Sequence, residues 1–144
     1  MSRPDEHAVQ TRRRLPLVVD DDPRVRQSLA CLLWSAGLDA RLYGSAAELF
    51  SADVLNNAGC LITDICMPVV DGWELQRRAV RAYPHLPLMF LTAYHQKPAS
   101  QCARSNGAFA LFYKPFDGEE LIYVVHTALR VDQTRHEQAS ILGQ

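Results

Sequence analysis

On its sequence alone, the chain is expected to fold as one α/β domain: a five-stranded parallel sheet covered by helices on both faces. Three observations predict this. Short apolar runs alternate with helical patterns along the chain, as βαβ units require. The runs are continuously apolar rather than alternating, which suits strands buried on both sides. The length of 144 residues fits one domain of roughly 100–200 residues.

The elements follow in order. Residues 1–14 are polar, with a basic cluster at Arg12, Arg13 and Arg14, and are expected to form a flexible leader. The first strand is Leu15-Pro16-Leu17-Val18-Val19, and it runs into Asp20, Asp21 and Asp22. Asp22 followed by Pro23 is a helix start, a capping carboxylate with proline at the first helical position. Val25, Leu29, Leu32, Leu33 and Ala36 then recur at helical spacing until Gly37 stops the helix. Leu38, Ala40 and Leu42 alternate as a second strand. Ser45 and Glu48 form a capping-box pattern that opens a short helix through Phe50. Cys60-Leu61-Ile62-Thr63 is a third strand ending at Asp64. Asp71-Gly72 caps a helix to Ala82, and Leu88 to Leu91 is a fourth strand ending at Thr92. A weakly amphipathic stretch over 99–105 predicts the fourth helix, and Ala108 to Tyr113 a fifth strand ending at Lys114. Asp117 and Glu120 open the last helix, which carries Leu121, Ile122, Val124, Val125, Ala128 and Leu129. The domain is thus expected over 15–130, with 131–144 as a polar tail or linker stub.

Composition excludes several classes. Fifteen Lys+Arg against 16 Asp+Glu give a net charge of -1, without the basic excess of a nucleic-acid binder. No apolar run approaches the roughly 18 residues of a membrane span, and the amino terminus has no secretory signal. Cysteines 31, 60, 66 and 102 make no CxxC pair, and histidines 7, 85, 95, 126 and 136 do not cluster. The expectation is a cytoplasmic protein with reduced thiols.

The informative feature is where the polar residues fall. Parallel strands share one carboxyl edge, where such sheets bind ligands. That edge receives Asp20 and Asp21 from the first strand, Asp64 from the third, Thr92 from the fourth and Lys114 from the fifth. Taken singly, each is ordinary: a solvated cap, a strand end, a β-favouring threonine, a loop lysine. Jointly they gather three carboxylates, a hydroxyl and an ammonium. Two carboxylates about 4 Å apart repel by roughly 4 kcal/mol at an effective dielectric of 20. Three of them call for a hard cation with oxygen ligands, and Mg²⁺ suits carboxylates that also face phosphate. A carboxylate in such a place is able to act as a nucleophile toward phosphorus.

These residues resemble the receiver domain of two-component response regulators, over about Leu15 to Leu129. The resemblance rests on Val19-Asp20-Asp21-Asp22, on Asp64-Ile65-Cys66-Met67-Pro68-Val69-Val70-Asp71-Gly72, on Leu91-Thr92-Ala93 and on Lys114-Pro115-Phe116. The gaps of 43, 28 and 22 residues between Asp21, Asp64, Thr92 and Lys114 are similar to the family's. It implies a flavodoxin-like, doubly wound sheet of order 2-1-3-4-5 with five helices. It also implies roles: Asp64 as phosphoacceptor, and Asp20, Asp21, Asp64 and the Cys66 backbone carbonyl around Mg²⁺. Thr92 and Lys114 would bind phosphoryl oxygens, across a cis Lys114–Pro115 bond, and the small Ala93 would leave the phosphoryl group room. Implied partners are a histidine kinase or a histidine phosphotransfer protein upstream and a protein target downstream. The implied chain is a signalling phosphoacceptor rather than an enzyme, with no direct contact to nucleic acid or membrane. A homodimer through the fourth helix, fifth strand and last helix is a further expectation.

One position departs from the family pattern. Leu111 stands where an aromatic switch residue is usual. Phe109 and Tyr113 are the nearby aromatics, and strand alternation places both on the face of Leu111. Tyr94 and Cys66 border the site, where residues tune phosphoryl lifetime, and the bulk of Tyr94 predicts slow self-dephosphorylation. No basic sequence neighbour would make Cys66 a redox sensor. Trp34 and Trp73 are read as packing or helix-surface residues. Three other functions compete. One is the receiver half of a DNA-binding transcriptional regulator without its output domain. Another is an aspartyl phosphatase, disfavoured because Cys66 replaces the usual second aspartate. The last is a docking module without phosphorylation, disfavoured by the intact acidic set.

Overall fold

The structure, a computed structural model, describes residues 14–93, 103 and 107–142. Five parallel strands form one sheet in the order β2-β1-β3-β4-β5. They are β1 (Leu15–Val19), β2 (Arg41–Tyr43), β3 (Ala58–Asp64), β4 (Leu88–Thr92) and β5 (Ala110–Tyr113). Among the described residues there are four helices, against five expected: α1 (Pro23–Ser35), α2 (Ala46–Ala52), α3 (Gly72–Ala82) and α4 (Gly118–Leu142). The helix predicted over 99–105 lies outside the described residues except for Ala103, so the last predicted helix is α4 here.

Successive strand residues feed opposite cores, as the two-residue period demands. Leu17, Val19, Leu61, Leu88 and Phe90 face a core shared with Ala46 and Leu49 of α2 and with Leu75 and Ala79 of α3. Val18, Ile62, Met89 and Leu91 face the other, with Leu29 and Leu33 of α1 and Leu121, Val125 and Ala128 of α4. All seven residues of β3 are buried, which explains the unbroken apolar run in the middle of the sheet. Each buried Leu or Phe contributes about 1.5–3 kcal/mol relative to exposure, so these two layers fix the strand ends in place.

The predicted caps form. Asp22 accepts from the Arg24 amide at 2.9 Å, Ser45 from Glu48 at 3.1 Å and Asp71 from Glu74 at 3.0 Å. Gly37, at φ 81°, closes α1 through bonds from its own amide to Trp34 O and from Leu38 N to Leu33 O, a Schellman arrangement. That turn uses Leu38, so the second strand starts at Arg41 rather than Leu38. Ala40 O instead accepts the Trp34 indole N–H at 3.1 Å. The third strand begins at Ala58, two residues before Cys60, after an unpredicted 3₁₀ turn at Leu55–Asn57.

The largest correction concerns the carboxyl-terminal segment. A polar tail was expected after Arg130, but α4 continues to Leu142. Its extra turns are tied to the amino edge of the sheet. Arg14, grouped by sequence with the leader, donates through Nε to Asp132 Oδ2 at 2.9 Å and through Nη1 to Asn56 O at 2.8 Å. Arg135 Nη1 donates to His85 O at 3.0 Å.

Candidate functional site

At the carboxyl edge, Asp20 follows the last β1 residue and is held at every polar atom. Its amide donates to Tyr43 O at 3.1 Å, and its carbonyl accepts from Arg26 Nη1 at 2.6 Å. Its Oδ1 accepts from the Asp22 amide at 2.9 Å, while Oδ2 lies 3.3 Å from Lys114 Nζ. The residue is buried, yet Asp21 beside it is exposed.

Asp64 ends β3, also buried, with Oδ2 3.5 Å from the same Lys114 Nζ. Gly72 makes this strand end possible. Its amide donates to Ile65 O at 2.8 Å. A Cβ at 72 would collide with the Asp64 carbonyl oxygen and come within 2.8 Å of Ile65 Cα. Glycine therefore lets α3 start directly against the Asp64–Ile65 backbone. Across the sheet, Lys114 N donates to Thr92 O at 2.8 Å. The Lys114–Pro115 bond is cis, as the resemblance implied. Thr92 is buried at the end of β4.

One oxygen from each of Asp20, Asp21 and Asp64 lies within 4.8 Å of the others. Three carboxylates face one ammonium, so the cluster carries excess negative charge. Burial raises the Asp64 pKa above the usual value, and the Asp20 charge adds a smaller rise. Lys114 opposes the rise, as do hydrogen bonds from the Ile65 and Cys66 amides. The pocket thus holds a desolvated carboxylate beside an ammonium, with two more carboxylates in reach. Hard oxygen donors in this number suit Mg²⁺ or a similar divalent cation.

Other predicted positions fall as follows. The Cys66 side chain and Ala93 are exposed. Leu111 is half-buried against the Phe90 core, while Phe109 packs on the opposite core. Phe109 precedes the first paired residue of β5, Ala110, so strand alternation does not govern it, and it leaves the face expected for it. Tyr94 lies outside the described residues. Trp73 stacks at a tilt on Phe90, ring centroids 4.7 Å apart, and Trp34 is half-exposed. Cys31, Cys60 and Cys66 are free thiols. Sequence reasoning missed Gly72 as a spacer and Arg26 as a partner of Asp20. The Asp-Gly pair at a helix start signalled the first; nothing local signalled the second.

A doubly wound parallel sheet with acidic residues and a lysine at its carboxyl edge defines a class, and the comparisons place the chain within it. Residues 17–126 match the response regulator receiver domain, and the chain belongs to that family. It is 31% identical over 131 residues to Nodulation protein W of Bradyrhizobium diazoefficiens, covering 91% of this chain and 58% of that one. It is 36% identical over 116 residues to Transcriptional regulatory protein TdiR of Thauera aromatica, covering 81% and 51%. The solved structure of response regulator StyR superposes with a TM-score of 0.83 at 30% identity, covering 92% of this chain and 67% of that one. The chain spans just over half the length of the curated relatives it matches. No helix among the described residues is long and apolar enough to cross a membrane.

Proposed function

We propose that this chain accepts a phosphoryl group on Asp64 and passes on the signal as a change in partner binding. The observation that carries this reading is the convergence of Asp20, Asp21 and Asp64 oxygens within 4.8 Å, next to Lys114, in a receiver-family chain. The donor is a phosphohistidine on a histidine kinase or phosphotransfer protein. A carboxylate oxygen of Asp64 attacks phosphorus, the P–N bond breaks, and the leaving imidazole takes a proton. Asp20, Asp21, Asp64 and the Cys66 carbonyl would hold Mg²⁺, which would offset charge on the phosphoryl oxygens. Lys114 Nζ shifts from the carboxylates to a phosphoryl oxygen, and the Thr92 hydroxyl donates to another. The chain is a phosphoacceptor and not a turnover catalyst, and it acts in the cytoplasm. Phosphorylation adds about -1.5 to -2 charge units, enough to bias a two-state surface by differential contacts.

A second reading of the whole protein has its own support. Transcriptional regulatory protein TdiR is about twice as long as the stretch this chain matches. This chain would then be the receiver portion of a DNA-binding regulator, with α4 leading toward the output domain. A reading frame continuing past Gln144 into a DNA-binding domain decides for it.

The test of phosphorylation is intact mass after incubation with Mg²⁺ and a small phosphodonor. One phosphoryl adduct is expected, dependent on Mg²⁺ and absent in Asp64→Asn. No adduct, together with no binding of beryllofluoride, would refute the reading.

A further inference from the structure

Arg26 lies on α1, and its guanidinium is turned back to the acidic edge. Its Nη1 donates to the Asp20 carbonyl at 2.6 Å, the short distance of a charge-assisted bond. The guanidinium also lies over the β2–α2 turn. A Cβ built on Gly44 would sit 3.1 Å from Nη1 and 3.5 Å from Cζ. Gly44 is not in the left-handed region, so its backbone does not require glycine. An added Cβ would press on the guanidinium, which would have to give by a few tenths of an ångström. The same turn supplies Tyr43 O, which accepts the Asp20 amide. The peptide groups on both sides of Asp20 are therefore tied to one place.

We propose that Arg26 is a positioning residue for the cation pocket. The Asp20 carbonyl and the Asp21 amide belong to one rigid peptide plane. Holding that oxygen fixes the N–Cα bond of Asp21, and with it the direction in which this exposed carboxylate enters the pocket. Asp20 is also held through its side chain, whereas the orientation of Asp21 depends on this plane. Outer partners that orient a ligand typically matter by 10–100-fold in metal affinity. The inference rests on the acidic edge being a Mg²⁺ site.

The sign of the effect separates positioning from charge. A guanidinium acting only as a nearby positive charge repels a cation, so its removal would tighten Mg²⁺ binding. A positioning role predicts the reverse. The experiment is calorimetric Mg²⁺ titration of the full chain, with urea unfolding alongside to report folding. Arg26→Met is expected to weaken Mg²⁺ binding by about tenfold, and Arg26→Lys to recover part of the loss. Gly44→Ala, which displaces the guanidinium without removing charge, is expected to weaken binding by a smaller factor. In the Arg26→Met background it should have no further effect, because both changes act through one contact. Unchanged or tighter binding in Arg26→Met would overturn the proposal, as would a Gly44→Ala effect that adds in full. Absence of Mg²⁺ binding in the unmodified chain would instead refute the site reading, and this inference with it.

Discussion

The two ends of the sheet each bury an ionic cluster, and they treat charge in opposite ways. At the amino edge, Arg14 meets Asp132 one to one, with side chains 17% and 4% exposed, and spends its remaining reach on Asn56 O. At the carboxyl edge, one Lys114 faces Asp20 and Asp64, with Asp21 also close. The first cluster is matched, and it fastens α4 to the start of β1. The second is short of positive charge, and under the proposed function that deficit is what a cation or a phosphoryl group would meet. Cys60 follows the same division. It is fully buried, and burial, with help from the Asp132 charge, pushes its thiol pKa well up, so it is an inert packing residue.

The contrast is broken most forcefully at the amino edge. Asp132→Ala leaves the largely buried Arg14 without its carboxylate and should destabilise the fold by about 3 kcal/mol, read by urea denaturation. A loss below about 0.5 kcal/mol would mean that the pair is a surface contact. Next comes the spacing glycine of the carboxyl edge. Gly72→Ala forces α3 away from the Asp64–Ile65 backbone. It should cost about 1–3 kcal/mol and slow phosphoryl transfer from a small donor. Unchanged stability and rate would show that the close approach is not needed.

Asp64→Asn should act in the direction opposite to Asp132→Ala. The folded-state pKa of Asp64 is raised, so its ionised form costs stability at neutral pH and the variant should be more stable there. As pH falls through the raised folded value, the native protein takes up the proton and the difference shrinks. Below about 3.9, the ordinary value of an aspartate, the difference is gone. Unfolding midpoints of the two proteins across that range check the sign. A variant less stable at neutral pH would mean that Lys114 outweighs burial.

Legibility in the sequence follows the range of the interactions. The five strands and the caps at Asp22, Ser45 and Asp71 depend on neighbours a few residues away, and they were readable. The gathering of Asp20, Asp21, Asp64 and Lys114 at the carboxyl edge was readable too, because parallel strands place their ends together regardless of loop detail. The clasp between Arg14 and Asp132 spans 118 residues, and no local pattern marks it. Without it, α4 past Arg130 looks like a polar tail. Arg26 was hidden for a related reason: an arginine on an amphipathic helix does not show which way its long side chain turns. Phe109 was misplaced because strand alternation was applied one residue before β5 begins.

Under the proposed function, the carboxyl edge is held short of positive charge until a cation arrives. Thermal unfolding with and without Mg²⁺, in the unmodified chain and in Asp64→Asn, tests it most directly. At about ten times its dissociation constant, Mg²⁺ should stabilise the unmodified chain by about 1.4 kcal/mol, and the variant by much less. Equal gains in both proteins, or none in either, would contradict it.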